Sequence, residues 1–139
     1  MRRFLSGLPE RKEKRLPLNE KAQRWNRFIE RICSRDPSAL SGLQKTAVLC
    51  FWYDAEVNSG GHSEYFDRYS EINPAETESA LRIVGGEAMA RNFREAVFGG
   101  EADEYVLADA VFGEFSPSLC ACLMDFVELH RAEILEDES

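Results

Sequence analysis

The stretch Lys45-Thr-Ala-Val-Leu-Cys-Phe-Trp-Tyr-Asp-Ala-Glu-Val-Asn-Ser-Gly-Gly-His-Ser-Glu-Tyr-Phe66 determines the fold expected for this chain. Its first part, from Ala47 to Tyr53, is apolar on every side of a helix, and a helix of that kind is buried in a protein core. The second part turns polar and reaches Gly60 and Gly61, which can end a helix with a left-handed residue. The stretch therefore predicts a central buried helix over residues 43–58 that ends in a sharp corner.

The rest of the chain is expected to form further helices on both sides of this element. Apolar residues recur at spacings of three and four, which is the period of an amphipathic helix, and no segment alternates with the period of a strand. Asp-Pro and Asn-Pro pairs mark helix starts, and pairs of glycines mark helix ends. We predict an all-α fold, a compact single-domain bundle of about six to eight short helices around the central buried helix. The other predicted elements cover residues 18–35, 37–41, 63–69, 74–84, 87–98, 101–113 and a last helix that starts at Ser116-Pro117.

Charge is divided unevenly along the chain. Residues 1–35 carry 11 Lys and Arg against 4 Asp and Glu, whereas residues 36–139 carry 6 against 21, so a net charge of −8 conceals a strongly acidic body. An acidic body repels nucleic acid and attracts basic partners. Residues 1–17 contain two prolines and little apolar periodicity. We interpret them as a basic mobile arm that precedes a single helical domain over residues 18–139.

Basic residues form a stripe on the first predicted helix, over residues 18–35. Arg24, Arg27, Arg31 and Arg35 lie on the side opposite to its apolar residues. This stripe could contact phosphates, which would make the chain a nucleic-acid binder. It could also dock on the acidic body of the same or a neighbouring chain. We favour docking, because the residues that follow the stripe are so strongly acidic.

Hydropathy and cysteine usage limit where the chain is expected to act. No apolar run approaches the roughly 20 residues that a membrane span requires, and no apolar segment resembles a signal sequence, so we expect a cytoplasmic location and no membrane. Cys33, Cys50 and Cys120 lie among apolar residues, where a reduced thiol packs as a small hydrophobic group. The spacing of Cys120 and Cys122 fits neither a zinc site nor a redox pair. We therefore expect free thiols, no metal and no cofactor.

The corner contains the main candidates for chemistry. Asp54 and Glu56 are two residues apart, so on a helix they point about 160° away from each other and cannot share a proton or a metal. We expect Glu56 to bond backbone amides across the corner. His62 follows the glycines, close to Glu64 and to free amides at a helix start, which could form an anion or substrate site. An enzyme or small-ligand binder is therefore the alternative function, and its site would use Glu56, Asn58, Gly60, Gly61, His62 and Tyr65.

The segment Glu56-Val-Asn-Ser-Gly-Gly-His-Ser-Glu-Tyr-Phe66 resembles the signature of a bacterial helical family of unknown function, typified by a small acidic protein that mimics DNA. The family pattern is approximately Glu-x-Asn-Asn-Gly-Gly-Phe-x-Gln-aromatic-Phe, and the resemblance covers residues 38–98. Ser59, His62 and Arg68 depart from the pattern. The resemblance implies that the matching residues are structural and build the corner; they are Glu56, Asn58, Gly60, Gly61, Tyr65 and Phe66.

We predict a non-enzymatic protein-interaction domain whose acidic surface engages a basic protein partner. The resemblance implies a finer hypothesis, in which the chain is a DNA mimic that occupies the basic DNA-binding face of a transcription regulator. Carboxylates on adjacent helices would replace phosphates, and binding would weaken with salt. No direct binding of nucleic acid is expected, and a homodimer is an alternative assembly. The candidate binding residues are Glu71, Glu76, Glu78, Glu87, Glu95, Glu101, Asp103 and Glu104.

Overall fold

One long helix lies at the centre of the fold. The structure, a computed structural model, describes residues 19–136. The predicted basic arm over residues 1–17 lies outside that range. The described range contains α-helices and no β-strand, so the prediction of an all-α fold is confirmed. The helices are α1 (Glu20–Arg27), α2 (Gly42–Arg68), α3 (Pro74–Val84), α4 (Glu87–Gly99), α5 (Val106–Glu114), α6 (Leu119–Leu129) and α7 (Arg131–Ile134).

The helix α2 supplies much of the core. Val48 and Cys50 are fully buried, and Tyr53 is 2% exposed. The helix packs against α3, α5, α6 and α7. The Tyr53 ring makes edge contacts with Tyr65 and Phe93 at centroid distances of 5.2 Å. The central buried helix that the apolar run predicts is therefore present, and its aromatic residues connect it to neighbouring elements.

Polar side chains start several of the helices, at Asn73 as predicted and at Ser41 and Ser118 without a prediction. Ser41 and Gln44 form a reciprocal capping box at the start of α2. Asn73 accepts the backbone N–H of Ala75 at 3.0 Å, and Pro74 follows it at the first helical position of α3. The start of α6 differs from the prediction. Its cap is Ser118, whose hydroxyl oxygen accepts the Ala121 N–H at 3.1 Å, two residues beyond Ser116.

The first predicted helix is divided in two by its hydrogen bonding. α1 ends at Arg27, and a π-helical turn follows over Phe28–Ile32. In that turn the Cys33 N–H donates to the Phe28 carbonyl oxygen at 3.1 Å, five residues back. The buried residues Phe28 and Ile32 keep the three-and-four spacing of the predicted apolar side across this turn. Phe28 is fully buried and stacks on Trp25 at a centroid distance of 5.4 Å.

The basic stripe of this segment docks on acidic residues of the same chain. Lys21 pairs with Asp125 of α6 at 3.0 Å, and Arg24 forms an ion pair with Glu128. The arrangement confirms docking on the acidic body for Arg24. Arg35 makes a two-bond pair with Glu136 at 2.9 and 3.0 Å. The pairing with Arg35 lowers the pKa of Glu136 to about 2, with help from a hydrogen bond of Gln44.

All four cysteines are free, as predicted, and Cys33 and Cys50 are buried. Burial raises the pKa of Cys33 to about 12, so its thiol stays protonated at neutral pH. Across residues 19–136, no single helix has the length and apolar composition needed to cross a membrane. Only α5 and α6 taken together reach that composition, and they are bent by 56° at their junction.

Candidate functional site

Gly61 interrupts α2 and forms the predicted corner. Its φ of 81° and ψ of 179° are not helical, although helix continues on both sides. An L side chain is strained at such a φ, whereas glycine adopts it freely. A Cβ atom at Gly61 would also lie 2.6 Å from Oδ2 of Asp109. The backbone conformation and the close approach of Asp109 therefore both require glycine.

Asp109, on α5, holds the helical segment that follows Gly61. Its Oδ1 atom accepts the backbone N–H of His62 at 2.9 Å and lies 2.6 Å from Nδ1 of the His62 ring. Amides at the start of a helical segment have no acceptor within the helix, so a carboxylate at this place acts as an N-cap. The residue that closes the corner thus comes from an element 47 positions further along the chain.

The His62 ring connects Asp109 to the core. Its Nε2 atom lies 2.6 Å from the Tyr53 hydroxyl. When Nδ1–H donates to Asp109, Nε2 is left to accept a hydrogen bond from the Tyr53 O–H, so both ring nitrogens of a neutral imidazole are satisfied. Burial lowers the pKa of His62, and the hydrogen bond and charge of Asp109 oppose that effect. Burial also raises the pKa of Tyr53 well above its usual value, which keeps the phenol protonated.

The Tyr53–His62–Asp109 chain has the order of a proton relay, but only its Asp109 end is partly exposed, and the histidine and tyrosine that would transfer protons are enclosed. His62 is 0% exposed and Tyr53 is 2% exposed. A general acid or base must come within hydrogen-bonding distance of its substrate, and the ring of His62 is enclosed by protein. Aromatic rings cover it on several sides, including Phe66 and Tyr105 at centroid distances of 6.2 and 6.4 Å. In this geometry the chain of hydrogen bonds fixes the corner.

Glu56 makes a different contact from the one expected. Its Oε2 atom lies 3.0 Å from Nε of Arg68, and this ion pair joins the two arms of α2 across Gly61. The expectation that Glu56 bonds the backbone amides of the corner is wrong, because the His62 amide donates to Asp109 instead. The long side chain of Arg68 reaches Glu56 from the helical segment after Gly61. The shorter side chain of Asp109 lies next to the corner and accepts the His62 N–H.

The remaining motif residues contact the fold on both sides of the corner. Asn58 donates from Nδ2 to the Asp54 carbonyl oxygen at 2.8 Å, within the first arm of α2. Tyr65 is buried, and its hydroxyl lies 3.2 Å from the Thr77 hydroxyl on α3. Phe66 is half-buried and packs against the core. Burial raises the pKa of Asp54, and a hydrogen bond of Asn58 opposes this effect.

The eight acidic residues predicted as a binding surface divide into two groups. Glu76 pairs with Lys45 at 3.2 Å, and Glu78 and Glu87 both pair with Arg82, at 2.9 and 2.7 Å. Their charges are therefore partly neutralised within the chain. The other members form no ion pair with basic side chains of residues 19–136; they are Glu71, Glu95, Glu101, Asp103 and Glu104.

Four of the unpaired residues surround the 3₁₀ turn Gly100–Asp103. Glu95 and Asp103 line a cavity of about 200 Å³ on one side of this turn. Glu101 and Glu104 line a second cavity of about 560 Å³, together with Asp67 from the end of α2. Asp103 also accepts the Leu107 N–H at 3.0 Å at the start of α5. We call the following set the acidic ridge: Asp67, Glu95, Glu101, Asp103 and Glu104.

Two residues of this region were missed by sequence reasoning. Asp109 is the only charged residue between Val106 and Gly113, and an isolated carboxylate in an apolar helix signals a partner inside the fold. Asp67 carries no comparable signal. It looks like an ordinary exposed residue at a helix end until the fold brings the Gly100–Asp103 turn beside it.

One comparison with known proteins finds a family that covers the chain from α2 onwards. A family model described as DMP19-like protein matches residues 38–137. The match extends beyond the corner motif and includes α2 to α7, hence every member of the acidic ridge. No curated protein and no solved structure matches the chain.

Proposed function

Because this chain belongs to the DMP19-like protein family, we propose that it is a non-enzymatic interaction domain that binds a basic protein through the acidic ridge. The finer proposal is that the chain is a DNA mimic and that the partner's bound surface is the basic DNA-binding face of a transcription regulator. Carboxylates of the ridge take the places of phosphates in this complex. Glu71 is exposed and unpaired within residues 19–136, and it extends the acidic surface beyond the ridge.

The observation that supports this proposal is the difference between paired and unpaired carboxylates. Every residue of the ridge is exposed. Its members come from the end of α2, from α4 and from the turn before α5, so their charges lie on adjacent elements. The basic residues Lys21, Arg24 and Arg35 are engaged by other acids and do not neutralise them. A cluster of uncompensated charge of one sign steers a partner of opposite charge and aligns it.

The arrangement also supports an interaction role over a catalytic role at the corner. The groups that could transfer protons, Tyr53 and His62, are buried and bonded to each other. Glu56 is occupied by Arg68. The exposed acidic groups, in contrast, lie where a macromolecular partner can reach them.

A pair of triple variants tests the proposal. The first replaces Glu95, Glu101 and Glu104 with glutamine, and the second replaces the paired residues Glu76, Glu78 and Glu87 with glutamine. Both remove three carboxylates, so they change the net charge equally. A basic partner isolated from the native host is purified, and its affinity for each variant is measured by calorimetry.

We expect the ridge variant to lose about tenfold in affinity, because each exposed charge pair contributes up to about 1 kcal/mol. The paired-residue variant should bind within about twofold of the unmodified chain. Equal losses in the two variants would mean that only net charge matters, and the ridge would then not be the binding surface.

A further inference from the structure

A cavity of about 560 Å³ opens beside the Gly61 corner, and aromatic and acidic side chains line it together. It lies between the second arm of α2 and the segment that joins the Gly100–Asp103 turn to α5. Its lining residues are Ser63, Phe66, Asp67, Glu101, Glu104 and Tyr105.

Two aromatic rings form one side of this cavity. The rings of Phe66 and Tyr105 are in contact, with centroids 5.4 Å apart and planes inclined by 36°. The buried His62 ring lies parallel to Tyr105 at 6.4 Å, with an interplanar angle of 15°, and supports it from inside. Tyr105 also lies against Gly100 so closely that a Cβ atom there would collide with its ring. These contacts hold the aromatic surface in place before any ligand arrives.

Three carboxylates form the other side. Asp67, Glu101 and Glu104 are exposed, and none of them pairs with a basic side chain of residues 19–136. Burial is the main cause that raises the pKa of Tyr105, and the charges of Glu101 and Asp67 raise it further. The phenol therefore stays neutral, and its ring faces a negative potential.

We propose that this cavity receives an arginine side chain of the basic partner. The inference rests on the proposed function, and it specifies the chemical group that enters the ridge. A guanidinium is planar, so it can stack on an aromatic face while its edge donates hydrogen bonds to carboxylates. Lysine has a compact, strongly hydrated charge and gains less from a flat aromatic wall. The Ser63 hydroxyl adds a further acceptor at the rim.

The pocket is tested without the partner, by titrating the ¹⁵N-labelled chain with N-acetyl-arginine amide. N-acetyl-citrulline amide is the control probe, because it has nearly the same shape and carries no charge. The test variant is Asp67→Asn/Glu101→Gln, and Glu76→Gln/Glu78→Gln is the matched control with the same loss of charge. All four substitutions replace a carboxylate by an amide of nearly equal size, so the fold should be retained.

We expect the arginine probe to shift amide resonances around Ser63, Phe66 and Tyr105, and the citrulline probe to leave them unchanged. The Asp67→Asn/Glu101→Gln variant should bind the arginine probe about fivefold more weakly, because two exposed charge pairs are lost. The control variant should bind it as the unmodified chain does. Equal shifts with citrulline, or shifts scattered over the whole acidic surface, would overturn the proposal.

This test separates the pocket from the wider function. If a basic partner binds the ridge but the arginine probe does not shift the pocket, the pocket proposal fails alone. If the probe binds the pocket but removal of the ridge charges leaves partner binding intact, the proposed function fails, and with it the assignment of the arginine to that partner, although the pocket still recognises a guanidinium.

Discussion

At the scale of single residues, the Asp109 carboxylate connects the parts of the corner. The same oxygen accepts the His62 amide and contacts the His62 ring, and the other oxygen faces the space where a side chain at Gly61 would be. The ring in turn reaches the Tyr53 hydroxyl in the core. The contacts of Asp109 with His62 and Gly61 therefore join the corner of α2 to α5.

Replacing Gly61 by alanine should destabilise the fold by at least about 2 kcal/mol, because a left-handed conformation strains an L residue and the new methyl group meets Asp109. Gly113→Ala is the control, since a Cβ atom at that position has no neighbour within 4 Å. It lies inside α5, so alanine should be neutral or stabilise by up to about 1 kcal/mol. Urea unfolding measures both. Similar losses of unfolding free energy in the two variants would mean that the backbone conformation at Gly61 does not require glycine.

The buried His62 should make stability depend on pH. Folding lowers the pKa of His62 from 6.5, so below that pH the unfolded chain binds more protons and acid favours unfolding. The free energy of unfolding should fall as pH decreases through this window, by no more than about 1.4 kcal/mol per pH unit. His62→Phe, which inserts the residue usual in the family pattern, should lack this component. Urea titrations between pH 5 and 8 measure the free energy of unfolding of both proteins. If the difference in free energy between them did not vary with pH, His62 would not be the source of the pH dependence.

The glycine of the corner could be predicted from sequence, whereas its partner could not. An apolar run that stops at two glycines is a local pattern, and the chain shows it directly. The contact of His62 with Asp109 joins residues 47 positions apart, and local patterns carry no information about such pairs. For the same reason the local pattern does not predict the ion pair of Glu56 with Arg68.

At the scale of elements, the first helix keeps its predicted apolar face although its hydrogen bonding changes. A regular helix from residue 18 to 35 places Trp25, Ile29 and Ile32 on its apolar side. Phe28 is three residues after Trp25 and four before Ile32, so it lies on that side too, and it is fully buried against Trp25 and Phe51. The period of 3.6 residues therefore locates the buried face, but it does not reveal the π-helical turn after Arg27, which is a change in backbone hydrogen bonding.

Phe28→Ala should therefore cost about 3–5 kcal/mol in the free energy of unfolding, the usual range for removal of a buried aromatic ring. Phe98→Ala is the matched control, because Phe98 is 79% exposed and its ring lies on the surface beside the guanidinium of Arg94, 5.9 Å from the ring centroid. Its cost should stay below about 0.5 kcal/mol. Chemical denaturation of both variants provides the comparison. A small loss for Phe28→Ala would mean that α1 and its π turn are not part of the cooperative unit.

At the scale of the whole molecule, the fold determines which carboxylates form ion pairs within the chain. The basic residues of the first helical segment neutralise acids on α6 and near the end of α7, and Arg82 neutralises two acids on α3 and α4. The members of the acidic ridge form no ion pair with a basic side chain of residues 19–136. Sequence shows the total imbalance, since it is a count of residues. It cannot show which carboxylates remain unpaired, because that depends on which helices pack side by side.

In the proposed complex, the acidic ridge binds the face of the partner that otherwise binds DNA. The most direct measurement is a competition experiment with the purified basic partner, a labelled duplex carrying its binding site, and increasing amounts of this chain. Fluorescence anisotropy reports the bound DNA, and gel filtration reports which complexes exist. The ridge variant with glutamine at Glu95, Glu101 and Glu104 serves as the control.

We predict that the chain displaces the duplex, that the ridge variant displaces it about tenfold less effectively, and that added salt weakens the displacement. Partner and chain should form one complex, and partner and DNA another. A stable ternary complex of partner, DNA and this chain would contradict the account, because the two ligands would then occupy different surfaces.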